Sequence, residues 1–329
     1  MESEYKYKVA SRCYTYNQAS FIEDTLRGFV MQKTDFPVVT IIVDDASTDG
    51  EPRVIRRFLR DNFQKPDRLE ENEDYILICA NHRTNSNCSF VVLLLKYNHY
   101  CIKKPKKSYL SEWIDNAKYL AICEGDDYWI DSLKLQKQVD YLEQHPETGV
   151  VHAKAKIFNQ ENQCFHGVYG EQNGDFKQTL VKNPIVTLTA CYRASLFQRY
   201  LMERTKWDIN GWKMGDYPMW IWMSYYSSVH FMNEVVAVYR EVKGSATHSN
   251  KLDDNLAFLE STYQIQLFFA NLFHQGVDVR ELIKYNADRK KAVACLEYDD
   301  NHKAKEYLRR LSFKDRWHLR LSFWLRKKN

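Results

Sequence analysis

A short apolar run, Tyr119 to Cys123, opens directly onto Glu124, Asp126 and Asp127, three carboxylates within four residues. An earlier β-branched run, Val38 to Val43, stops in the same way on Asp44-Asp45. Runs of this length and content fit strands buried on both faces of a parallel sheet. Like charges packed this closely repel one another and are costly to keep dehydrated. A solvated acidic turn that caps the next helix would account for the residues. A cation held at the strand end would account for them as well, and hard oxygen ligands suit Mg²⁺ or Mn²⁺.

The neighbouring segments set these strands in an alternating order. Lys8 to Cys13 reads as a strand, followed by the loop Tyr14 to Ala19. Ser20 and Glu23 have capping-box spacing, and Ile22, Leu26 and Phe29 then line one face of a helix. After the second strand, Ser47, Thr48 and Asp49 offer caps for a helix carrying Val54, Ile55, Phe58 and Leu59. Tyr75 to Cys79 is a further apolar strand, whereas 96–116 fits no simple element and Lys103 to Lys107 reads as a solvated loop. Asp131 or Ser132 caps a helix with Leu135, Val139 and Leu142 on one side, which Pro146 closes, and Gly149 to Phe158 is another strand. From Leu256 onward the pattern is mostly helical. The rhythm predicts an α/β fold with a right-handed, mostly parallel sheet. Open sheets of this kind bind ligands outside the carboxyl ends of their strands. That topology would gather Thr15, Tyr16 and Asn17 with both acidic strand ends. Asp45 would accept hydrogen bonds from a ribose or base, and Tyr16 offers a ring to pack on it. Neither a GxxxxGK[ST] nor a GxGxxG sequence is present to explain these residues instead.

The 329 residues suffice for one large α/β domain, 1–250, and a helical extension, 251–329. The eight cysteines show no CxxC pair and no zinc spacing, and MESEYKYKVA lacks the apolar core of a signal peptide, so a reduced, cytoplasmic protein is expected. The extension departs from the rest in charge. Residues 301–329 hold ten Lys/Arg against Glu306 and Asp315, a net +8 in a chain of net +4, which leaves 1–300 at −4. Leu308, Leu311, Phe313, Trp317, Leu319, Leu321, Phe323, Trp324 and Leu325 are interleaved with those cations. Mixed cationic and aromatic residues on helical spacing predict attachment to an anionic membrane surface rather than to nucleic acid. The competing expectation is a terminal helix packed on the body with its basic face in water.

The segment YKVASRCYTYNQASFIEDTLRGFVMQ…VVTIIVDDASTDG resembles the opening of family-2 glycosyltransferases, which have the GT-A fold. AICEGDDYWIDSLKLQKQVDYLEQHPETGVVHA is similar to a bacterial subgroup with EGDDYW at its DxD position, and NPIVTLTACYRASLF, GDYPMW and VYR follow in the same order. The resemblance covers roughly 7–250. Tyr14 stands where the family usually has Pro, and Ala46 where its DDGS element has Gly. The resemblance implies that Thr15, Tyr16, Asn17, Asp44, Asp45 and Asp126 serve the nucleotide. It places Glu124, Asp126 and Asp127 at the metal, with Asp127 the most direct ligand, and makes Asp216 the general base of an inverting enzyme. His248 would reach metal or diphosphate from a flexible flap, or stand exposed in a loop. A further donor contact from the 80–116 region, often an Arg in this family, has Arg83 as its candidate. Trp212 and Trp222 are expected to be scaffold rather than sugar platforms, and Thr187 and Thr189 to bond within a strand.

The chemistry agrees with these roles. A divalent ion neutralises charge growing on a departing nucleoside diphosphate. An acceptor hydroxyl needs a positioned carboxylate to take its proton. Asp216 before Tyr217-Pro218 would also suit a helix N-cap, which is compatible with that role. The expected function is metal-dependent transfer from a nucleotide-sugar, UDP-linked, to a glycan or lipid-linked acceptor at the inner membrane face, in cell-surface polysaccharide synthesis. Two rivals remain: a nucleotidyltransferase that makes activated sugars, and a non-catalytic membrane-associated scaffold that keeps a nucleotide pocket. The first needs a Gly-rich, Lys/Arg-bearing loop that Cys13 to Ala19 does not supply, and intact carboxylates at 126, 127 and 216 oppose the second.

Overall fold

Every residue from Val38 to Asp44 is buried, as a strand with parallel partners on both sides and helices on both faces must be. The computed structural model describes residues 5–172, 175–242 and 251–326. Its strands are β1 (Tyr7–Thr15), β2 (Val38–Asp44), β3 (Arg68–Glu71), β4 (Tyr75–Asn81), β5 (Cys88–Leu95), β6 (Ala117–Ile122), β7 (Tyr128–Trp129), β8 (Thr148–Asn159), β9 (Cys164–Tyr169), β10 (Cys191–Arg193) and β11 (Ser228–Glu241). The helices are α1 (Ile22–Val30), α2 (Glu51–Asn62), α3 (Lys107–Ile114), α4 (Lys134–Gln144), α5 (Phe176–Val181), α6 (Ala194–Arg204), α7 (Asp216–Tyr226), α8 (Leu252–Leu272), α9 (Val277–Glu297), α10 (Asn301–Leu308) and α11 (Phe313–Arg326).

The sheet runs β3-β4-β5-β2-β1-β6-β10-β8-β11-β7, with β9 paired to β8. Its centre, β5-β2-β1-β6, is parallel throughout. The expected strand at Tyr75–Cys79 is present but antiparallel, and its neighbour is β5. The six residues between β4 and β5 are too few for a parallel crossover, which needs roughly a dozen, so a hairpin results. Phe90 to Leu95, the longest apolar run, is the core of that central strand. Val9 of β1, Val38 and Ile42 of β2, Val92 and Leu94 of β5 and Tyr119 and Ala121 of β6 share a core with Ile22, Leu26 and Phe29 of α1 and Ile55, Phe58 and Leu59 of α2.

The start of α1 differs from expectation, whereas Asp49 and Asp131 accept at the starts of α2 and α4. Phe21, not Ser20, precedes α1, and no side chain caps it. Glu23 instead pairs with Arg27 and Arg57, so the capping box does not form. Gly50, at φ 95°, precedes α2, and Asp49 reaches past it to accept from the Glu51 N–H at 3.0 Å. Leu133 precedes α4, with Asp131 accepting from the Leu133 N–H at 2.9 Å.

The chain divides into two compact units, 1–173, 184–205 and 223–240 in one, 174–183, 206–222 and 241–329 in the other. In this division by contacts, Asp216 belongs with the C-terminal helices. In that helical unit Phe269 of α8 and Phe273, directly after it, meet Trp207 and Phe176 edge-on. Leu308, Leu311 and Leu319 form a second small core with Ala292, Cys295 and Ala304.

Candidate nucleotide-sugar site

β1 ends between two acidic neighbours. Thr15 lies opposite Asp44 in the β1–β2 register, and Arg12 opposite Ile122 in β1–β6. Adjacent strands are about 4.8 Å apart, so the ends of β2 and β6 stand roughly 10 Å from each other across β1. Backbone bonds complete the approach: Asp45 N–H donates to Thr15 O at 3.0 Å, and Gly125 N–H to Tyr14 O at 3.1 Å. A Cβ on Gly125 would stand 2.2 Å from Thr15 Oγ1, so the close seating of the acidic turn on the first loop requires glycine.

That first loop is tied to the loop after β2. Asn17 N–H donates to Ser47 Oγ and Thr48 N–H to Asn17 Oδ1, both at 2.8 Å, while Ala19 N–H donates to Asp49 Oδ2 at 2.8 Å. Glu51, fully buried at the start of α2, is the hub. It accepts from Thr15 Oγ1, from Gln18 N–H at 2.8 Å and from Ser47 Oγ at 2.9 Å. Burial raises its pKa, and those three donors work against the shift. Glu51 was not foreseen; its signal is an acid at the first helical position directly after Asp49-Gly50. Tyr16, 46% exposed, leaves its ring open above this cradle.

Asp44 is buried and one of its oxygens, Oδ1, has no hydrogen-bond partner among the described residues, while Oδ2 accepts a long 3.3 Å bond from Ser47 N–H. Burial lifts its pKa from 3.8 to about 6. The folded state therefore binds this proton more tightly than the unfolded chain, and stability falls as pH rises between those values. Asp44→Asn is expected to stabilise the fold by about 1–3 kcal/mol at pH 7. Urea unfolding should show the gain in full above about pH 6 and none below about pH 4.

Ala46 sits at φ 64°, the left-handed region. The family's glycine would occupy it freely, so the departure carries a backbone cost. Ala46→Gly should stabilise by about 1 kcal/mol in the same unfolding assay.

Asp45 faces a segment that sequence left unassigned. Its carboxylate accepts from His99 N–H at 2.9 Å, Tyr100 N–H at 3.1 Å and Lys106 Nζ at 2.8 Å. The Lys103–Lys107 cluster is thus not wholly solvated: Lys106 is mostly buried on Asp45, and Lys104 bonds Asp74 and Tyr97. Asp45 anchors this segment, and Lys106 brings a positive charge beside Tyr14.

The acidic turn is held from the other side. Thr25 Oγ1 donates to Gly125 O at 2.9 Å and to Asp127 O at 2.6 Å. Asp127 is buried, and its Oδ1 accepts the Arg240 N–H at 2.8 Å, which ties the turn to β11. Burial first, then Asp126, holds the Asp127 carboxyl well above its ordinary range, and burial also raises Asp126. The Arg240 guanidinium lies over Phe21 and Tyr128 and bonds Asp24 at 2.7 Å. Trp129 anchors the end of the run: its Nε1 donates to Leu188 O at 2.7 Å, and buried Lys134 stands 4.0 Å over its ring.

Among the described residues no three His, Cys, Asp or Glu side chains form a metal cage. A hard cation that keeps waters and phosphate oxygens in its shell needs only one or two carboxylates. Asp126 and Asp127, crowded and under-compensated, fit that mode, with Glu124 adjacent.

Asp216 opens α7, half-buried, with its Oδ1 accepting the Tyr217 N–H at 2.8 Å. Tyr217 is itself pinned, donating to Thr179 O at 3.0 Å and Leu180 O at 2.9 Å and bonded by Gln266 at 3.0 Å. Arg83 is spent elsewhere, on the carbonyls of Phe63, Asp61 and Arg60 at the end of α2. Trp222 is buried and Trp212 packs on Phe268 and Phe269, as scaffold. Thr187 and Thr189 lie in a 3₁₀ turn rather than a strand, where the Thr189 hydroxyl bonds Ala153 and Val186. His248 lies outside the described residues.

No family model matches the chain. Over 154 residues it is 37% identical to an uncharacterized protein of Mycobacterium tuberculosis and equally to one of Mycobacterium bovis. The match takes in 47% of this chain and 33% of each relative, so the chain spans about a third of the length of the curated relatives it matches. S. aureus TarS superposes with a TM-score of 0.52 at 12% identity, over 94% of this chain and 50% of TarS. The mannosyltransferase PcManGT of Pyrobaculum calidifontis, seen in complex with GDP-Man and Mn²⁺, gives 0.51 at 17% identity, over 92% of this chain and 74% of its own. At such identities the likeness is one of fold. That fold is the GT-A type expected from sequence, a sheet parallel at its centre, β5-β2-β1-β6, and antiparallel on both sides of it, flanked by helices and followed by C-terminal helices.

Proposed function

We propose that the protein is an inverting, metal-dependent glycosyltransferase of the family-2 type, using a nucleotide-sugar donor, UDP-linked in preference. The observation that carries this reading is the seating of the Glu124–Asp127 turn on the Thr15–Gln18 loop, beside the acidic end of β2. In this reading Thr15, Tyr16, Asn17, Asp44 and Asp45 line the nucleoside, and Lys106 adds a donor at its edge. Asp126 and Asp127, with Glu124, hold Mg²⁺ or Mn²⁺. Such an ion, when bound, neutralises the diphosphate charge of the leaving group. Arg240 keeps Asp127 aimed and moderates the repulsion between the two aspartates. Asp216 takes the proton of the acceptor hydroxyl.

Donor hydrolysis over a panel of UDP- and GDP-sugars, with and without Mn²⁺, tests the proposal. Turnover of one sugar nucleotide that depends on the ion is expected; no turnover on any would remove it.

We place the acceptor, a lipid-linked glycan, at an anionic membrane surface. Among the described residues no helix is long and apolar enough to cross a membrane. Leu308, Leu311 and Leu319, counted at first with the lipid-facing residues, fill a core instead. Phe313 and Trp317, 77% and 60% exposed, remain for the contact, with Arg309, Lys314 and Arg320 around them. Phe313→Ser combined with Trp317→Ser should weaken sedimentation with phosphatidylglycerol vesicles roughly tenfold or more. Unchanged sedimentation would remove the membrane contact from this face.

A further inference from the structure

The helical unit holds an open cavity of about 470 Å³ that the sugar-transfer reading does not use. Leu296 of α9, Ala304 and Leu308 of α10 and Phe323 of α11 line it, and Lys305 and Arg320 stand at its rim. Its floor is apolar, with Ala304 and Leu308 buried, whereas both cations are exposed. Neither cation has a carboxylate partner among the described residues. The volume lies within the range of about 300–1,000 Å³ typical of small-molecule sites.

An apolar floor under a cationic rim complements a molecule with a hydrocarbon end and an anionic end. A bare anion would leave Leu296 and Phe323 facing water, and a neutral amphiphile would leave both cations without a counter-charge. Asp299 also lines the cavity. The two cations suit the phosphodiester of such a molecule. Residues 313, 317 and 320 are four and three positions apart, so they fall on one stripe of α11. Arg320, which lines the cavity, therefore continues the line of the exposed rings Phe313 and Trp317.

We infer that this cavity binds one anionic phospholipid, its acyl chain against Leu296, Leu308 and Phe323 and its phosphodiester between Lys305 and Arg320. The inference rests on the membrane contact proposed above and gives it a defined lipid. Bound lipid would turn a diffuse surface attraction into a seated one, selective for headgroup charge.

Calorimetric titration of the full chain with dihexanoyl phosphatidylglycerol below its micelle concentration tests the cavity without any membrane. Saturable binding of one lipid per chain is expected, with no heat from inorganic phosphate and much weaker binding of dihexanoyl phosphatidylcholine. Lys305→Glu combined with Arg320→Glu, both at exposed positions, should weaken that binding roughly tenfold or more. Phe313→Ser with Trp317→Ser should leave the short-chain titration unchanged even where vesicle sedimentation is lost. Absence of saturable binding, equal binding of the choline lipid, or a double reversal that binds as well as the parent would overturn the inference. Vesicle sedimentation reports on the surface contact alone, so the two readings fail separately.

Discussion

Asp127→Asn is expected to reduce sugar transfer about a thousandfold while leaving the fold at least as stable as before. The size follows from several kcal/mol of leaving-group stabilisation, each 1.4 kcal/mol being about tenfold in rate. The stability half follows from the local structure. Asp127 is buried, its Oδ1 accepts the Arg240 N–H, and burial together with Asp126 disfavours its charge. An asparagine has the same shape and an oxygen that can keep the bond to Arg240. It also removes a charge that the surroundings resist, so heat denaturation at pH 7 should occur at the parent temperature or above it. The sign of that gain is fixed by linkage. The folded carboxyl is raised above its unfolded value, so the penalty is present at neutral pH and fades as pH falls into the ordinary carboxylate range. Rate and Mn²⁺ dependence should therefore be lost together, without loss of structure. If Asp127 were only a structural anchor for β11, the variant would transfer normally or would lose activity and stability in parallel.

Much of the framework around this residue is legible in the sequence because it depends on local signals. Val38 to Val43 and Tyr119 to Cys123 are β-branched or apolar runs that stop on acids, and both became central parallel strands. Ile22, Leu26 and Phe29 recur at helical spacing and are buried. The capping box was misread because the start of α1 is decided by chain entry rather than by the best capping residue. Ser20 is exposed while the turn Gln18–Phe21 leads directly into α1. The antiparallel setting of Tyr75–Asn81 was within reach, since the gap before Cys88 is too short for a crossover helix.

The 97–106 segment was not legible, for a different reason. A run of lysines ordinarily marks a solvated loop, and nothing in its spacing says which carboxylate lies above it. Only the fold brings Lys106 to Asp45, 61 positions away, and buries the carboxylate beneath it. The partnership of Glu51 with Thr15, 36 positions apart, is hidden in the same way. Residue type singled out the strand-end acids as candidates, but their partners are tertiary facts. The terminal helices show the reverse case, where interleaved leucines suggested lipid and the structure gives three of them a core to fill.

Asp216→Asn should lower transfer by roughly a hundredfold to ten-thousandfold, the usual contribution of a positioned general base, and leave nucleotide binding nearly unchanged. The variant is chosen to separate chemistry from capping. Asp216 opens α7 and its Oδ1 bonds the Tyr217 N–H, a role asparagine performs as well at a helix start. Tyr217 is held independently by Thr179, Leu180 and Gln266, so the first turn has anchors besides this carboxylate. Thermal unfolding should thus shift little in Asp216→Asn, whereas Asp216→Ala removes the acceptor and should lose about 1 kcal/mol. A base is needed to activate the attacking hydroxyl but not to hold the donor. Calorimetric affinity for nucleoside diphosphate with Mn²⁺ should therefore match the parent, and kcat should fall with little change in donor KM. Full transfer by the asparagine variant would reduce Asp216 to a helix-start residue and leave the reaction without its base, while a matching loss of nucleotide affinity would assign it to donor binding instead.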